Sequence, residues 1–309
     1  MTNIALPVTG YLHETYARSL SEFGKPLSLP ESEGWILARQ IPGSPQLDGM
    51  GCYPIFSCRN WSGLARDIEN LKDCLVSLAL VADPFGDVDV ELLRECFPAS
   101  CIPFKQHFVI DLSRDPKSFV HSHHLRNAKK ARHSLEVGTI EQPTEFLHDW
   151  VELYAGLVQR HQITGISAFS KNSFALQFEV PGLVVFRASQ DNVTEGMLLW
   201  YVQGDVAYYH LGAYSERGYD LKASFALFHH ALEYFSQLGL RWLNLGGAPG
   251  SATGTPSGLA RFKEGWSSDV RIAYFCGRII DPVKYKELKN ARLTGETQYF
   301  PAYRAGEFV

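Results

Sequence analysis

The chain has 309 residues, of which 45% are hydrophobic and 20% charged, and its formal net charge is −4. That is enough for two domains, or one large α/β domain with an ample core, and it excludes extended disorder. No apolar run approaches the roughly 18–20 residues that span a bilayer. The N-terminus MTNIALPVTGYLHETYARS has no basic segment followed by an apolar one, so the expected location is the cytoplasm.

Strand-like and helix-like runs alternate through the first hundred residues. WILARQI (Trp35–Ile41) and MGCYPIFSC (Met50–Cys58) read as strands joined by the turn-rich PGSPQLDG. A helix over about 61–74, the apolar strand LVSLALV, the turn DPFGD and a helix over about 88–96 precede the alternating strand QHFVIDL (Gln106–Leu112). Asp115-Pro116 opens a basic helix that is expected to reach about Leu135. Pro143-Thr144 opens another, on which Phe146, Leu147, Trp150, Val151, Tyr154, Leu157 and Val158 recur at helical spacing.

The second half reads strand, strand, strand, helix, strand. LVVFRA (Leu183–Ala188) and GMLLWYVQ (Gly196–Gln203) flank a polar turn, and Gly204-Asp205 makes a hairpin into VAYYHLGAYS. The stretch Asp220–Leu238 is apolar on nearly every side and is predicted to be a buried crossover helix stopped by Gly239. LRWLNLGG then returns as a strand parallel to the one before the helix. A Gly/Ser/Thr-rich loop, the short helix GLARFKEGW, the strand VRIAYFCGRII and the helix DPVKYKELKNA complete the chain.

Six cysteines (Cys52, Cys58, Cys74, Cys96, Cys101, Cys276) show neither CxxC pairing nor matching histidine spacing, so they read as free thiols. The cluster His121, His123, His124 has no nearby cysteine or spaced acid, and no metal is expected. Charge is uneven. Between Arg114 and His133 six Lys/Arg face Asp115 alone, leaving the remainder at −9, which describes one basic patch on an acidic body.

Three segments carry a family resemblance: FVIDLSRDPKSFVHSHHLRNAKKARHSLEV, SERGYDLKASFALFHHALEYFSQLGLRWLNLGG and GLARFKEGWSSDVRIAYF. Each resembles a passage of the FemAB-like branch of the GNAT acyltransferases. These are respectively the strand leading to a basic helix, the helix and short strand ending in Gly-Gly, and the GL-x-x-F-K-x-G-F helix with its closing strand. The resemblance covers roughly Gln106–Phe275. It implies an α/β (α+β) fold of tandem GNAT-like units, a mixed antiparallel and parallel sheet flanked by helices. The expected domains are a degenerate N-terminal unit at 1–112 and an acyltransferase domain at 113–309.

The implied activity is N-acyl transfer to an amine, with no tightly bound cofactor. The donor is acyl-CoA or an acyl carrier protein, favoured slightly because the chain shows only one basic patch and no inserted paired-helix arm is visible. The alternatives are an aminoacyl-tRNA, which would make the enzyme an aminoacyltransferase, and a degenerate GNAT kept as a binding module. The expected acceptor is an amine-bearing small molecule or a cell-envelope precursor. Where GNATs carry the pyrophosphate loop Q/R-x-x-G-x-G/A, this chain has Tyr214-Ser-Glu-Arg-Gly-Tyr-Asp220, with one glycine and two acids.

Acyl transfer needs a deprotonated amine, donors for a developing oxyanion, and a proton for the leaving group. The matched motif makes Lys263 a candidate catalytic cation. Tyr209 and His210 are candidates for proton traffic, beside a bulge suited to Gly212. Tyr208, Asn244, Gly246, Gly247 and Arg261 are candidate substrate contacts. Arg217 and Gly218, with Arg126, Lys129 and Lys130 on the basic helix, are candidates for donor phosphate. A charged, solvated face is the competing reading of that helix. The loop from Gly246 to Gly258 lacks G-K-[ST], so it is read as a lid rather than a nucleotide loop. Glu195 stands at a strand start as a conceivable base.

Overall fold

The computed structural model describes residues 7–247, 257–292 and 297–307. In chain order its elements are α1 (Glu14–Ser19), β1 (Lys25–Leu29), β2 (Gly34–Gln40), β3 (Leu47–Gly51), α2 (Leu64–Asn70), β4 (Ser77–Val81) and α3 (Val90–Cys96). Then come β5 (Ser100–Asp111), α4 (Ser122–Ala131), β6 (Glu136–Thr139), α5 (Leu147–His161), α6 (Lys171–Gln177), β7 (Leu183–Gln190), β8 (Val193–Gln203) and β9 (Val206–Tyr214). The last are α7 (Glu216–Asp220), α8 (Ala223–Gln237), β10 (Trp242–Gly247), α9 (Gly258–Glu264), β11 (Asp269–Ile279) and α10 (Pro282–Arg292).

These elements form two compact units. Among the described residues, unit A holds 11–104, 165–167, 272–292 and 297–307, and unit B holds 7–10, 105–164, 168–247 and 257–271. The division is interleaved, where the sequence reading set two consecutive stretches, 1–112 and 113–309. The cause lies in strand pairing. Phe275–Ile279 of β11 pair antiparallel with Val81–Ser77 of β4, and Tyr285 of α10 packs with Ile41, Val76 and Tyr303. Unit A orders its strands β1-β2-β3-β4-β11 around Phe56, Trp61, Leu78, Leu80 and Phe97.

Unit B orders its strands β5-β10-β9-β8-β7-β6. β7, β8 and β9 form an antiparallel meander, α8 crosses over, and β10 returns parallel to β9 with Trp242, Leu243 and Asn244 opposite Val206, Ala207 and Tyr208. The expected core order is therefore present. Leu227, Phe228, Ala231, Leu232 and Phe235 of α8 bury against Phe186, Trp200, Leu243 and Leu245. Each such large side chain contributes about 1.5–3 kcal/mol, so the crossover helix holds the ends of β9 and β10 firmly.

One expected helix is broken and another starts late. The basic run is a 3-10 turn at Pro116–Ser118 followed by α4, because Val120 turns inward and the His121 N–H donates to the Gly265 carbonyl at 2.9 Å. The crossover helix is present as α8 but starts at Ala223 and not Asp220, because Lys222 adopts a left-handed φ of 60°; the short α7 before it lies where a loop was expected. Gly204 and Gly239 take the positive φ their turn and helix-stop roles require.

Candidate active site

The registered pairing of β9 with β10 ends at Tyr208 and Asn244, although β9 continues to Tyr214 and β10 to Gly247. Each strand is irregular on its other side just where the two part. β9 carries an extra residue, His210, between the pairs Trp200–Tyr209 and Leu199–Leu211. The β10–β5 register shifts between Asn244 and Gly247, where Gly246 has φ +74°. Bulges bend the strands that carry them. The result is a wedge at the sheet end, where the backbones of β9 and β10 are no longer registered to each other.

Helix α9 supplies the charge. Ser257 caps it, its hydroxyl accepting from the Ala260 N–H at 3.1 Å. The F-K-E-G-W sequence then divides by face. Phe262 packs on Phe225 and Phe228 at 5.1 and 5.0 Å between ring centroids, and Trp266 is fully buried. His124 of α4 donates Nε2–H to the Phe262 carbonyl at 3.1 Å, its ring 5.2 Å from that of Trp266. A Cβ on Gly265 would lie 2.3 Å from the His124 ring. Since that ring is wedged among aromatics, Gly265→Ala is expected to cost about 1–3 kcal/mol. Thermal melting checks it, and an unchanged midpoint would refute this packing role.

Lys263 points the other way. It is 5% exposed, and its Nζ donates to the Gly247 carbonyl at 2.7 Å, 5.6 Å from the centre of the Tyr209 ring. Burial pushes its pKa down to about 7, and the Lys105 ammonium adds to the effect. A Cβ on Gly246 would sit 3.4 Å from Nζ, and its φ already disfavours a side chain. The two glycines ending β10 thus provide the seat for this ammonium.

Tyr209 and Tyr214 share a hydrogen bond, and burial raises both phenols. Gly212 makes room for them, since its missing Cβ would fall 2.5 Å from the Tyr209 hydroxyl. On the opposite face of β10, Asn244 Oδ1 accepts from the Gly246 N–H at 2.9 Å and meets His107 Nδ1 at 3.1 Å. Both residues are buried. Burial pushes the His107 pKa down to about 4; the Lys263 and Lys105 ammonium groups add to this and the Asn244 bond opposes it. Sequence reasoning missed His107. Its only signal was a polar side chain on the inward alternation of QHFVIDL.

The remaining candidates lie elsewhere. His210 is buried with Nε2 3.1 Å from Gln177 Oε1, its ring packed on Tyr201 and Phe169, and burial lowers its pKa to about 3. Tyr208, also buried, is registered opposite Asn244. Arg261 is exposed on α9. Arg126, Lys129 and Lys130 are exposed on α4.

Arg217 donates to Gln190 Oε1 at 2.8 Å and lies 3.7 Å from Glu195. A Cβ on Gly218 would fall 1.9 Å from the Glu195 carbonyl, and the Gly218 N–H is already bonded to Ser215 Oγ, which itself donates to the buried Glu195 carboxylate. The expected phosphate cradle is filled by the protein's own hydroxyl and acid. Positions 248–256, most of the expected lid, lie outside the described residues. Among the described residues, no group of three or more His, Cys, Asp or Glu is placed to hold a metal, and no helix is long and apolar enough to cross a membrane.

Residues 121–264 match the family model described as an acetyltransferase (GNAT) domain. That stretch of unit B is similar to a GNAT domain. Its fold is that of FemX, whose crystal structure it matches at a TM-score of 0.66 with 12% identity over 89% of this chain and 93% of that one. The C-terminal domain of a putative lysylphosphatidylglycerol synthetase from Agrobacterium fabrum matches at 0.61, with 14% identity over 86% and 88%. The L-PGS of Bacillus licheniformis matches at 0.59, with 16% identity over 94% and 100%. No curated protein sequence matches this chain. The expected mixed-sheet GNAT-like fold is thereby borne out, and the family model supports an acyltransferase reading for residues 121–264. The wedge between β9 and β10 is where this GNAT fold opens its sheet.

Proposed function

We propose that unit B transfers an activated acyl group to an amine at the wedge beyond Tyr208 and Asn244, and that the donor is an aminoacyl ester of tRNA. The observation that carries acyl transfer is the placement of Lys263, a buried ammonium seated on Gly247 where the two strands part. In its charged form it would stabilise the tetrahedral intermediate or protonate the departing oxygen. Tyr209, against the ammonium, would orient it. Asn244, Gly246 and Gly247 shape the wall on which substrate would rest.

The sequence reading leaned towards a thioester donor, acyl-CoA or acyl carrier protein. The geometry at α7 favours the alternative, because Ser215 and Glu195 occupy the place where a pyrophosphate would bind. A carboxylate there repels phosphate. Arg126, Lys129 and Lys130 remain exposed on α4 and suit a nucleic-acid backbone. One of the structural neighbours is named as part of a putative lysylphosphatidylglycerol synthetase, which fits an aminoacyl donor and a cell-envelope acceptor.

Thermal shift against acetyl-CoA, a longer acyl-CoA and a charged tRNA pool tests the donor. A ligand at a hundredfold excess over Kd stabilises by about 2.7 kcal/mol. Stabilisation is expected with charged tRNA alone, weakened by added salt and by Lys129→Ala/Lys130→Ala. Saturable CoA binding would return the thioester reading, and no response to any donor would favour a binding module without catalysis.

A further inference from the structure

An amine that attacks an acyl ester must lose a proton as its bond to carbon forms, and Lys263 as an ammonium cannot accept one. The faces of β10 separate the two tasks. Leu243 and Leu245 face α8, as do Tyr209 and the approach of Lys263. Asn244 faces the other way, together with Val109, to which it is registered, and with His107, opposite Gly247.

The His107 ring is held in one tautomer. Asn244 Oδ1 is identified as oxygen because it accepts from the Gly246 backbone N–H. The nitrogen facing it, His107 Nδ1, must then carry the hydrogen. That leaves Nε2 with its lone pair, and Nε2 takes no hydrogen bond from any described residue. Nor is it among the fully enclosed polar atoms without a partner, although the residue as a whole is buried. The charged groups facing the ring are Lys105, whose stem lies beside Gly247 on the same strand as His107, and Lys263 of α9. Both keep the imidazole neutral. An acid–base pair therefore brackets the end of β10, a neutral base on one face and an ammonium on the other.

We propose that His107 Nε2 is the general base that deprotonates the attacking amine, with Asn244 its positioning residue. This rests on the acyl-transfer reading given above. The amine nitrogen bonds to the acyl carbon and passes a proton to Nε2. The ester carbon–oxygen bond breaks, and the departing oxygen takes a proton from Lys263 Nζ. Solvent exchange returns His107 to its neutral form and Lys263 to the ammonium.

The test compares the deacylation of a charged tRNA pool by the free-base form of methylamine, whose nitrogen stays weakly acidic once bonded to carbon and needs a base, and by hydroxylamine, whose nitrogen then releases its proton readily to water. His107→Gln keeps a donor for Asn244 but has no base. It is expected to slow the methylamine reaction on the order of 10²-fold or more, with the hydroxylamine reaction slowed far less and the melting midpoint retained. Equal slowing with both nucleophiles, or none with either, overturns the assignment while leaving acyl transfer standing. Loss of the methylamine reaction in His210→Gln but not His107→Gln also overturns it. A wild-type protein that accelerates neither reaction overturns acyl transfer and this inference together.

A second measurement needs no substrate. Nitrogen-15 NMR of histidine-labelled protein should show His107 neutral at pH 6 with hydrogen on Nδ1, and Asn244→Ala should release that preference. Hydrogen on Nε2 in the wild-type protein would refute the proposal.

Discussion

Replacing Lys263 by methionine is expected to lower kcat/KM on the order of 10²–10³-fold, the loss that follows removal of a preorganised donor to developing charge, while leaving the protein at least as stable as before at pH 6. The two effects have one origin. Burial moves the ammonium from an ordinary 10.5 to about 7, so the folded state holds the charged form at a cost. Below pH 7 both folded and unfolded chains are protonated and the whole cost applies, on the order of 5 kcal/mol. Between pH 7 and 10.5 the unfolded chain binds more protons, so this group makes stability rise with pH. Methionine removes that dependence. It also leaves the Gly247 carbonyl without its donor, which returns about 1–3 kcal/mol of the gain.

Melting curves from pH 6 to 10 should therefore converge for the two proteins, the variant level or ahead at the acid end. With hydroxylamine as the acceptor, the wild-type rate should fall above about pH 7 as the ammonium loses its proton. A variant that melts well below wild type at pH 6 would show that the buried ammonium is structural, and retained transfer would remove Lys263 from the reaction.

The part of this site that could be read from sequence is the part written in consecutive residues. F-K-E-G-W carries its division of labour in its spacing, with Phe262 and Trp266 inward, Gly265 beneath the His124 ring and Lys263 alone on the opposite side. The meander, crossover helix and parallel strand were legible because their periods are local. His107 was not, since the residue that orients it lies 137 positions away and only the strand register brings them together. The obstruction at Gly218 was half legible. Glu216 and Asp220 signalled a poor phosphate loop, but the acid that fills it, Glu195, comes from a neighbouring strand. The boundary between units was hidden for the same reason. Nothing in VRIAYFCGRII states that β11 will pair with β4 of unit A rather than continue the domain before it.

That returning segment also carries the largest expected change in stability. Asp48, on β3 and 2% exposed, accepts two hydrogen bonds from Arg304, from Nε at 2.5 Å and from a terminal nitrogen at 2.9 Å. Arg304 also donates to the Gln40 carbonyl at 2.9 Å, and Glu307 bonds both Arg304 and Arg39. Nearby, the Ala302 N–H donates to the Tyr285 hydroxyl and Tyr303 shares a hydrogen bond with Ser77. The pairing of opposite charges gains little net energy, because both have left water. Breaking it is another matter. Asp48→Ala leaves two buried guanidinium groups sharing the more exposed Glu307, and loss of one partner of such a network costs about 3–5 kcal/mol. For a chain of this size that is a fall in melting midpoint on the order of 10 °C. Asp48→Asn, which keeps acceptor geometry without charge, should fall between. Replacing Asp48 and Arg304 together by apolar residues should recover much of the loss, since no uncompensated charge then remains at that point. A loss below about 1 kcal/mol in Asp48→Ala, the value of a solvated surface pair, would mean that the 302–307 segment is held by its tyrosines and not by its charges.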